Sequence, residues 1–232
     1  MEGFGYLVGV ILPPITLVVF LGGLLYRISV WWKLPSPKMT LFPAPAPGAE
    51  TFFGVLKATF FFPGLFKSDR LLWFGSWIFH ATLALILLGH LRVGTDFPAV
   101  WQALGINADV MSAVVGGSAG AVIFVAALIL MARRFMIPRV AEVSQTGDFV
   151  ALGLLLAVVL TGNAMRLQGH FDLHLTREYF AGLVLLQFPM PPLNGWFLAH
   201  FFLSQFLFLY LPFSKLLHVG GVFFTQTALQ RR

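Results

Sequence analysis

The chain of 232 residues contains no cysteine. That absence excludes disulfides, covalent c-type haem attachment, iron–sulfur clusters and thiolate zinc sites, and leaves histidine as the main candidate metal ligand. Any redox chemistry here needs a noncovalent cofactor. Charge is scarce as well: 10% of residues are charged and 58% hydrophobic, with a mean hydropathy of +0.86. A soluble domain needs a surface that is ~25% charged or more, so this composition is that of an integral membrane protein. The formal charge is +6, but the basic residues are scattered between apolar segments and form no stripe with interleaved aromatics, so no nucleic-acid partner is expected. No internal repeat is visible, which gives an inverted-repeat transporter no support.

Five stretches are long enough to cross a hydrocarbon layer, which takes ~20 apolar residues at 1.5 Å each. They run approximately over 7–26, 71–91, 114–131, 149–165 and 196–213. The first does not read as a cleavable signal: Glu2 stands where a basic region belongs, Pro13 and Pro14 interrupt it, and no small-residue cleavage site follows. Lysine and arginine set the orientation. One side collects twelve of them and the other only Arg92, Arg166 and Arg177. The N-terminus is therefore expected outside and the C-terminus in the cytoplasm. The first cytoplasmic loop, 27–70, is rich in proline, and its Phe-rich part with Lys57 and Lys67 suits a short interfacial helix or a docking segment. In the third span, Gly116, Gly117, Ser118, Ala119 and Gly120 form a small-residue surface for another helix or a flat cofactor.

Four of the six histidines fall in or at the ends of two spans: His80 and His90 in the second, His200 and His218 in the fifth. An ionisable side chain at membrane depth costs several kcal/mol unless it is paired or ligated. His80 and His90 are ten residues apart and His200 and His218 eighteen, or ~15 Å and ~27 Å of helical rise. Because the two spans are antiparallel, His80 faces His218 near the cytoplasmic side and His90 faces His200 near the outer side. If each pair clamps one iron, the irons lie ~21 Å apart along the membrane normal. Eighteen residues close five whole helical turns, so His200 and His218 share a face, whereas ten fall ~80° short of three turns. Tilt or different ring planes must absorb that offset. Two neutral imidazoles on one iron leave no open coordination site, which points to electron conduction.

Other polar residues are less specific. His170 and His174 flank Asp172 in the outer loop after the fourth span and read as solvated loop or the rim of a quinone pocket. Asn163 and Arg166, at the outer end of the fourth span, suit contacts to a quinone carbonyl or a haem propionate, and Arg166 also suits simple snorkelling.

The segments Phe79-His80 through Gly89-His90, Gly116 to Gly120, Arg133-Arg134 through Pro138-Arg139-Val140, and Pro212 to His218 together resemble the gamma subunit of respiratory nitrate reductase, over most of the chain from the second span onward. The resemblance implies an all-α integral membrane fold. This would be a single domain over 1–232, a five-helix bundle with two b haems between the second and fifth helices. It makes His80 and His218 the axial ligands of the cytoplasmic-side haem, and His90 and His200 those of the outer one. Within that superfamily, the segment Thr161 to Arg166 and the end Pro212 to Val222 are similar to the membrane cytochrome b of the sulfite-reductase-associated complex, the DsrM type. That likeness implies exchange of electrons between menaquinone and a cytoplasmic iron–sulfur subunit resembling heterodisulfide reductase. Further membrane subunits and an extracytoplasmic cytochrome c are partners implied in the same way. One departure stands out. The lysine that nitrate reductases use near their outer quinone site is replaced by Ala108, so that family's quinone contacts do not carry over. Two other readings stay open: a nitrate reductase gamma subunit proper, feeding a molybdenum enzyme, and a haem-free transporter or proton relay.

Overall fold

The computed structural model describes residues 1–33, 49–168, 171–218 and 220–221. Ten α-helices occur among them: α1 (Glu2–Trp32), α2 (Ala49–Phe61), α3 (Pro63–Ser68), α4 (Arg70–His90), α5 (Pro98–Leu104), α6 (Ala108–Met136), α7 (Pro138–Val143), α8 (Thr146–Leu167), α9 (Leu173–Val184) and α10 (Gly195–Tyr210). No strand occurs among the described residues. Five helices are long and apolar enough to span a membrane: α1, α4, α6, α8 and α10, with α4 and α10 extended by short 3₁₀ turns. The protein is a multi-pass membrane protein, built as backbone chemistry in hydrocarbon requires, with nearly all backbone polar groups of each span paired within the helix.

The helices outrun the expected spans because hydropathy marks the hydrocarbon portion, whereas capping sets where a helix stops. The Asn107 side chain accepts from the amides of Asp109 and Val110 and starts α6 six residues before the expected 114. Pro138 ends it. Gln145 and Asp148 form a reciprocal capping box that starts α8. The expected loop 27–70 is partly helical: α1 runs on to Trp32, and the Phe-rich part forms α2 and α3. The proline cluster at Pro35, Pro37, Pro43, Pro45 and Pro47 lies outside the described residues, as does His170.

The spans pack in the order α4, α6, α8, α10, α1, and no comparable packed interface joins α4 to α10 among the described residues. Phe79 of α4, Ile123, Ala126 and Ala127 of α6 and Leu152 of α8 form one buried cluster, the alanines letting the backbones approach closely. The other cluster joins Val8 of α1, Tyr179 of α9, and Phe197 and Leu198 of α10.

Pro13 and Pro14 shape the second cluster. Neither proline has an amide to donate, and the turn Leu7–Ile11 widens to a π-helix in which the Leu12 amide reaches Leu7. The carbonyls of Val8 and Gly9 are thereby left without a helical donor. Gln205 Nε2 donates to Val8 at 2.9 Å and the Tyr179 hydroxyl to Gly9 at 2.7 Å. Burial raises the Tyr179 phenol above its ordinary range, keeping it a donor. Gly9 admits the Pro191 ring, which a Cβ there would strike. Replacing Gln205 with Leu orphans the Val8 carbonyl. We expect a loss of about 1–2 kcal/mol, read as a lower thermal midpoint in detergent, and Tyr179→Phe should show a similar drop. Unchanged midpoints in both would mean that the freed carbonyls contribute nothing to α1.

Candidate functional site

Four imidazoles meet in two pairs between α4 and α10, where the helix backbones themselves are not packed together. The His80 and His218 ring centroids are 5.9 Å apart with planes at 85°, and those of His90 and His200 are 6.1 Å apart with planes at 20°. The ~80° offset expected between His80 and His90 thus coincides with different ring planes in the two pairs.

His218 reaches its partner by a route that the spacing argument did not foresee. α10 stops at Tyr210; Leu211–Phe213 tightens to a 3₁₀ turn, Ser214 is extended, and Lys215–Leu217 forms a second 3₁₀ turn. Pro212 is the cause, because it lacks the amide that would continue the α-helical ladder. His200 and His218 therefore do not lie on one unbroken helix of five turns.

All four rings are fixed in the same manner. Nδ1 of His80 lies 2.7 Å from the Ser76 carbonyl, that of His90 2.7 Å from Ile86, that of His200 3.0 Å from Val158, and that of His218 2.9 Å from Lys215. A carbonyl only accepts, so each Nδ1 is the protonated nitrogen and each Nε2 keeps its lone pair for a metal. The Thr161 hydroxyl donates to the Ala157 and Val158 carbonyls and lies 3.3 Å from His200 Nδ1. Gly162 brings the α8 backbone against the same ring: a Cβ there would lie 3.1 Å from His200 Cε1.

The small-residue surface of α6 receives polar side chains from α8. Asn163 Nδ2 donates to the Gly120 carbonyl at 2.9 Å, and Arg166 Nη1 donates to Ser112 at 2.7 Å. A Cβ on Gly116 would sit 2.7 Å from Arg166 Nη2, and one on Gly120 would run into Asn163 Oδ1. Asn163 and Arg166 thus follow directly on the α8 turn that holds His200. The remaining Arg166 donors are uncommitted among the described residues.

Each end of α4 is tied by ions. Asp69 caps it, accepting from the Leu72 amide at 2.9 Å and from Arg133 of α6 at 3.0 Å. The Leu72 amide first, and then Arg133, hold its carboxyl below the usual range against the effect of burial. At the His90 end, the buried Arg92 binds Asp96 at 2.5 Å, Asp109 at 2.7 Å and the Ala108 carbonyl at 3.1 Å. Arg177 of α9 joins Asp96 at 2.9 Å, and the Arg92 hydrogen bond holds the Asp96 carboxyl low. Arg92 therefore brings a cation to Ala108, the place where sequence alone showed none. A groove of about 410 Å³ lies beside it, lined in part by Trp101, Gln102 and Ile106. His174 stands apart on α9, 3.5 Å from the exposed Glu178.

Residues 64–230 match the family model of the nitrate reductase gamma subunit. The chain belongs to the nitrate reductase gamma subunit family. It is 32% identical over 263 residues to an Hdr-like menaquinol oxidoreductase cytochrome b-like subunit of Archaeoglobus fulgidus, covering 96% of this chain and 79% of that one. The protein of the same name from Archaeoglobus profundus is 26% identical, over 93% and 76%. The nitrate reductase gamma chain of Bacillus subtilis is 27% identical, over 90% and 88%. These relatives support the assignment to the nitrate reductase gamma superfamily and, within it, to its DsrM-like members.

The family implies haem, and the residues fit one at each pair. A metal–imidazole bond of ~2.0–2.1 Å on either side of one ion, plus the ring radii, separates centroids by ~6 Å; the two pairs stand at 5.9 and 6.1 Å. Among the described residues no three His, Cys, Asp or Glu side chains converge on one point, and a macrocycle that supplies four equatorial nitrogens asks only two of the protein. α4 is the least buried of the five spans, and α6 is the one span it packs against extensively. Gly162→Ala is the sharpest local probe. We expect it to displace His200 and lower the low-spin absorbance of one centre with the other intact, measured by reduced-minus-oxidised difference spectra. Equal spectra would mean that the His200 ring yields without consequence.

Proposed function

We propose that this chain is the di-haem b subunit of a membrane redox complex, exchanging electrons between menaquinone or menaquinol and a cytoplasmic iron–sulfur subunit resembling heterodisulfide reductase. The observation that carries the reading is the two pairs of facing imidazoles, one at the middle and one at the end of α4, each separated by the space of one iron, with every Nδ1 on a carbonyl. The printed names of the Archaeoglobus relatives support the quinol, the b-type cytochrome and the Hdr-like partner. Residues 1–232 act as one membrane domain, with the N-terminus outside, the C-terminus in the cytoplasm and the His80–His218 pair on the cytoplasmic side. Sulfur metabolism is the setting that the DsrM-like assignment favours.

In this reading His80 with His218 and His90 with His200 would hold the two haems. Haem, when bound, would supply a one-electron centre at each pair. The chain's own residues do the rest. Four backbone carbonyls hold the rings in one tautomer, and hydrogen bonding at Nδ1 raises the basicity of Nε2. Arg166 offers its free donors to a quinone carbonyl or a propionate, with Asn163 beside it. The lack of cysteine, which leaves the chain without an iron–sulfur site of its own, fits a subunit that passes its electrons to a partner. The likeness to the Bacillus subtilis gamma chain sustains a second reading, a molybdenum nitrate reductase as that partner. Nitrate-dependent reoxidation of the haems in the purified complex would select it.

A pyridine haemochrome assay on the purified chain should give two b haems per protein. A colourless, intact preparation would sink the electron-transfer reading in favour of a transporter or relay. His218→Ala should remove the haem of its own pair and largely spare the other, and His90→Ala the reverse; loss of both from either folded variant would argue against separate pairs. Arg166→Ala should slow quinol-driven haem reduction, and unchanged kinetics would return Arg166 to a snorkelling role.

A further inference from the structure

α2 and α3 form a hairpin whose apex reaches the His80–His218 pair. Phe62 precedes Pro63 and so is steered away from continuing α2. It adopts φ +46°, in the left-handed region that a bulky residue rarely occupies. Two indoles hold the turn in place: Trp73 Nε1 donates to the Phe61 carbonyl at 2.7 Å and Trp77 Nε1 to Phe60 at 3.1 Å. These carbonyls end α2 and have no helical donor of their own. Trp73 and Trp77 lie ~4.5 and ~10 Å down α4 from Arg70, and the six residues of α3 then climb back ~9 Å to the start of that helix. The apex is therefore sunk well below the start of α4. There the Phe62 ring stands edge-on to His80, with centroids 5.3 Å apart. Strain of this kind persists only where the surroundings enforce it, and it clusters at functional sites.

A second observation points to the same place. The hydroxyls of Thr82, Ser118, Thr161 and Thr176 all donate back to the carbonyl four residues earlier. The Thr59 hydroxyl does not: it is buried and makes no hydrogen bond among the described residues. Val55, which is buried, and Thr59 are four residues apart and share a face of α2. Thr59 directly precedes Phe60, whose carbonyl takes the Trp77 indole, and Trp77 stands one turn before His80 on α4. A buried hydroxyl without an acceptor is costly, and the described residues supply none.

We propose that the α2–α3 hairpin is the third wall of the His80–His218 site. Phe62 is a positioning residue that fixes the His80 ring, and Thr59 donates its hydroxyl to a carboxylate of the macrocycle held there. This rests on the di-haem reading, and neither residue belongs to the ligand set.

The test uses the purified full chain with both haems, comparing Phe62→Ala, Phe62→Tyr, Thr59→Val and Thr59→Ser by redox titration and by haem transfer to excess apomyoglobin. Phe62→Ala should shift the midpoint potential of the cytoplasmic-side haem alone, and Phe62→Tyr should restore it. Thr59→Val should speed loss of that same haem about tenfold, and Thr59→Ser should retain it. The other haem is the internal control for folding. If Phe62→Ala does not fold, the Thr59 pair decides. Two haems whose potentials and release rates are unchanged in every variant, or a change shared equally by both haems, would overturn the wall. Wild-type protein without haem would overturn the di-haem reading instead.

Discussion

In hydrocarbon an imidazole has few ways to satisfy its N–H, and here each of the four uses a backbone carbonyl. For His80 and His90 the acceptor lies one turn earlier on the same helix, so α4 orients both rings without outside help. His200 borrows a carbonyl from α8, and His218 takes one from the turn just before it. These bonds settle the tautomer, leave every Nε2 its lone pair, and make the position of α8 part of the geometry at His200. Much of the remaining architecture keeps those carbonyls in register.

Seen in that light, several features that look like defects in a membrane helix have partners. The prolines in α1 free two carbonyls, which Gln205 of α10 and Tyr179 of α9 take up, so the first span is bound to the histidine-bearing last span by hydrogen bonds and not by apolar contact alone. Pro212 breaks α10 and so allows His218 to turn toward His80. The glycines of α6 open space for Asn163 and Arg166, which brace α8 at the level of His200. Lys215, whose carbonyl holds His218, is itself pinned to Asp148 of α8 at 3.1 Å.

The five spans and the pairing of the imidazoles were legible because hydropathy and helical rise are properties of one segment at a time, and antiparallel topology then says which ends meet. What one segment cannot report is what faces it. The Gly116 to Gly120 stripe announced a close approach but not that side chains would make it. The eighteen-residue interval gave the right partner for His218 through the wrong path, since a proline's effect on local geometry escapes a count of turns. Arg92 beside Ala108 was hidden for the same reason: the two positions are sixteen residues apart and meet only because the segment carrying α5 folds back. The π-turn, the left-handed Phe62 and the orphan Thr59 hydroxyl have no signature in composition or period.

The two ring pairs differ in one respect that their equal spacing conceals. The planes of His90 and His200 are nearly parallel, whereas those of His80 and His218 are nearly perpendicular. If each pair holds one ion as proposed, parallel imidazoles would direct their π systems at the same d orbital and perpendicular ones would address two orbitals alike. Two sites made from identical ligands would then differ in orbital symmetry before any difference in charge or solvent enters.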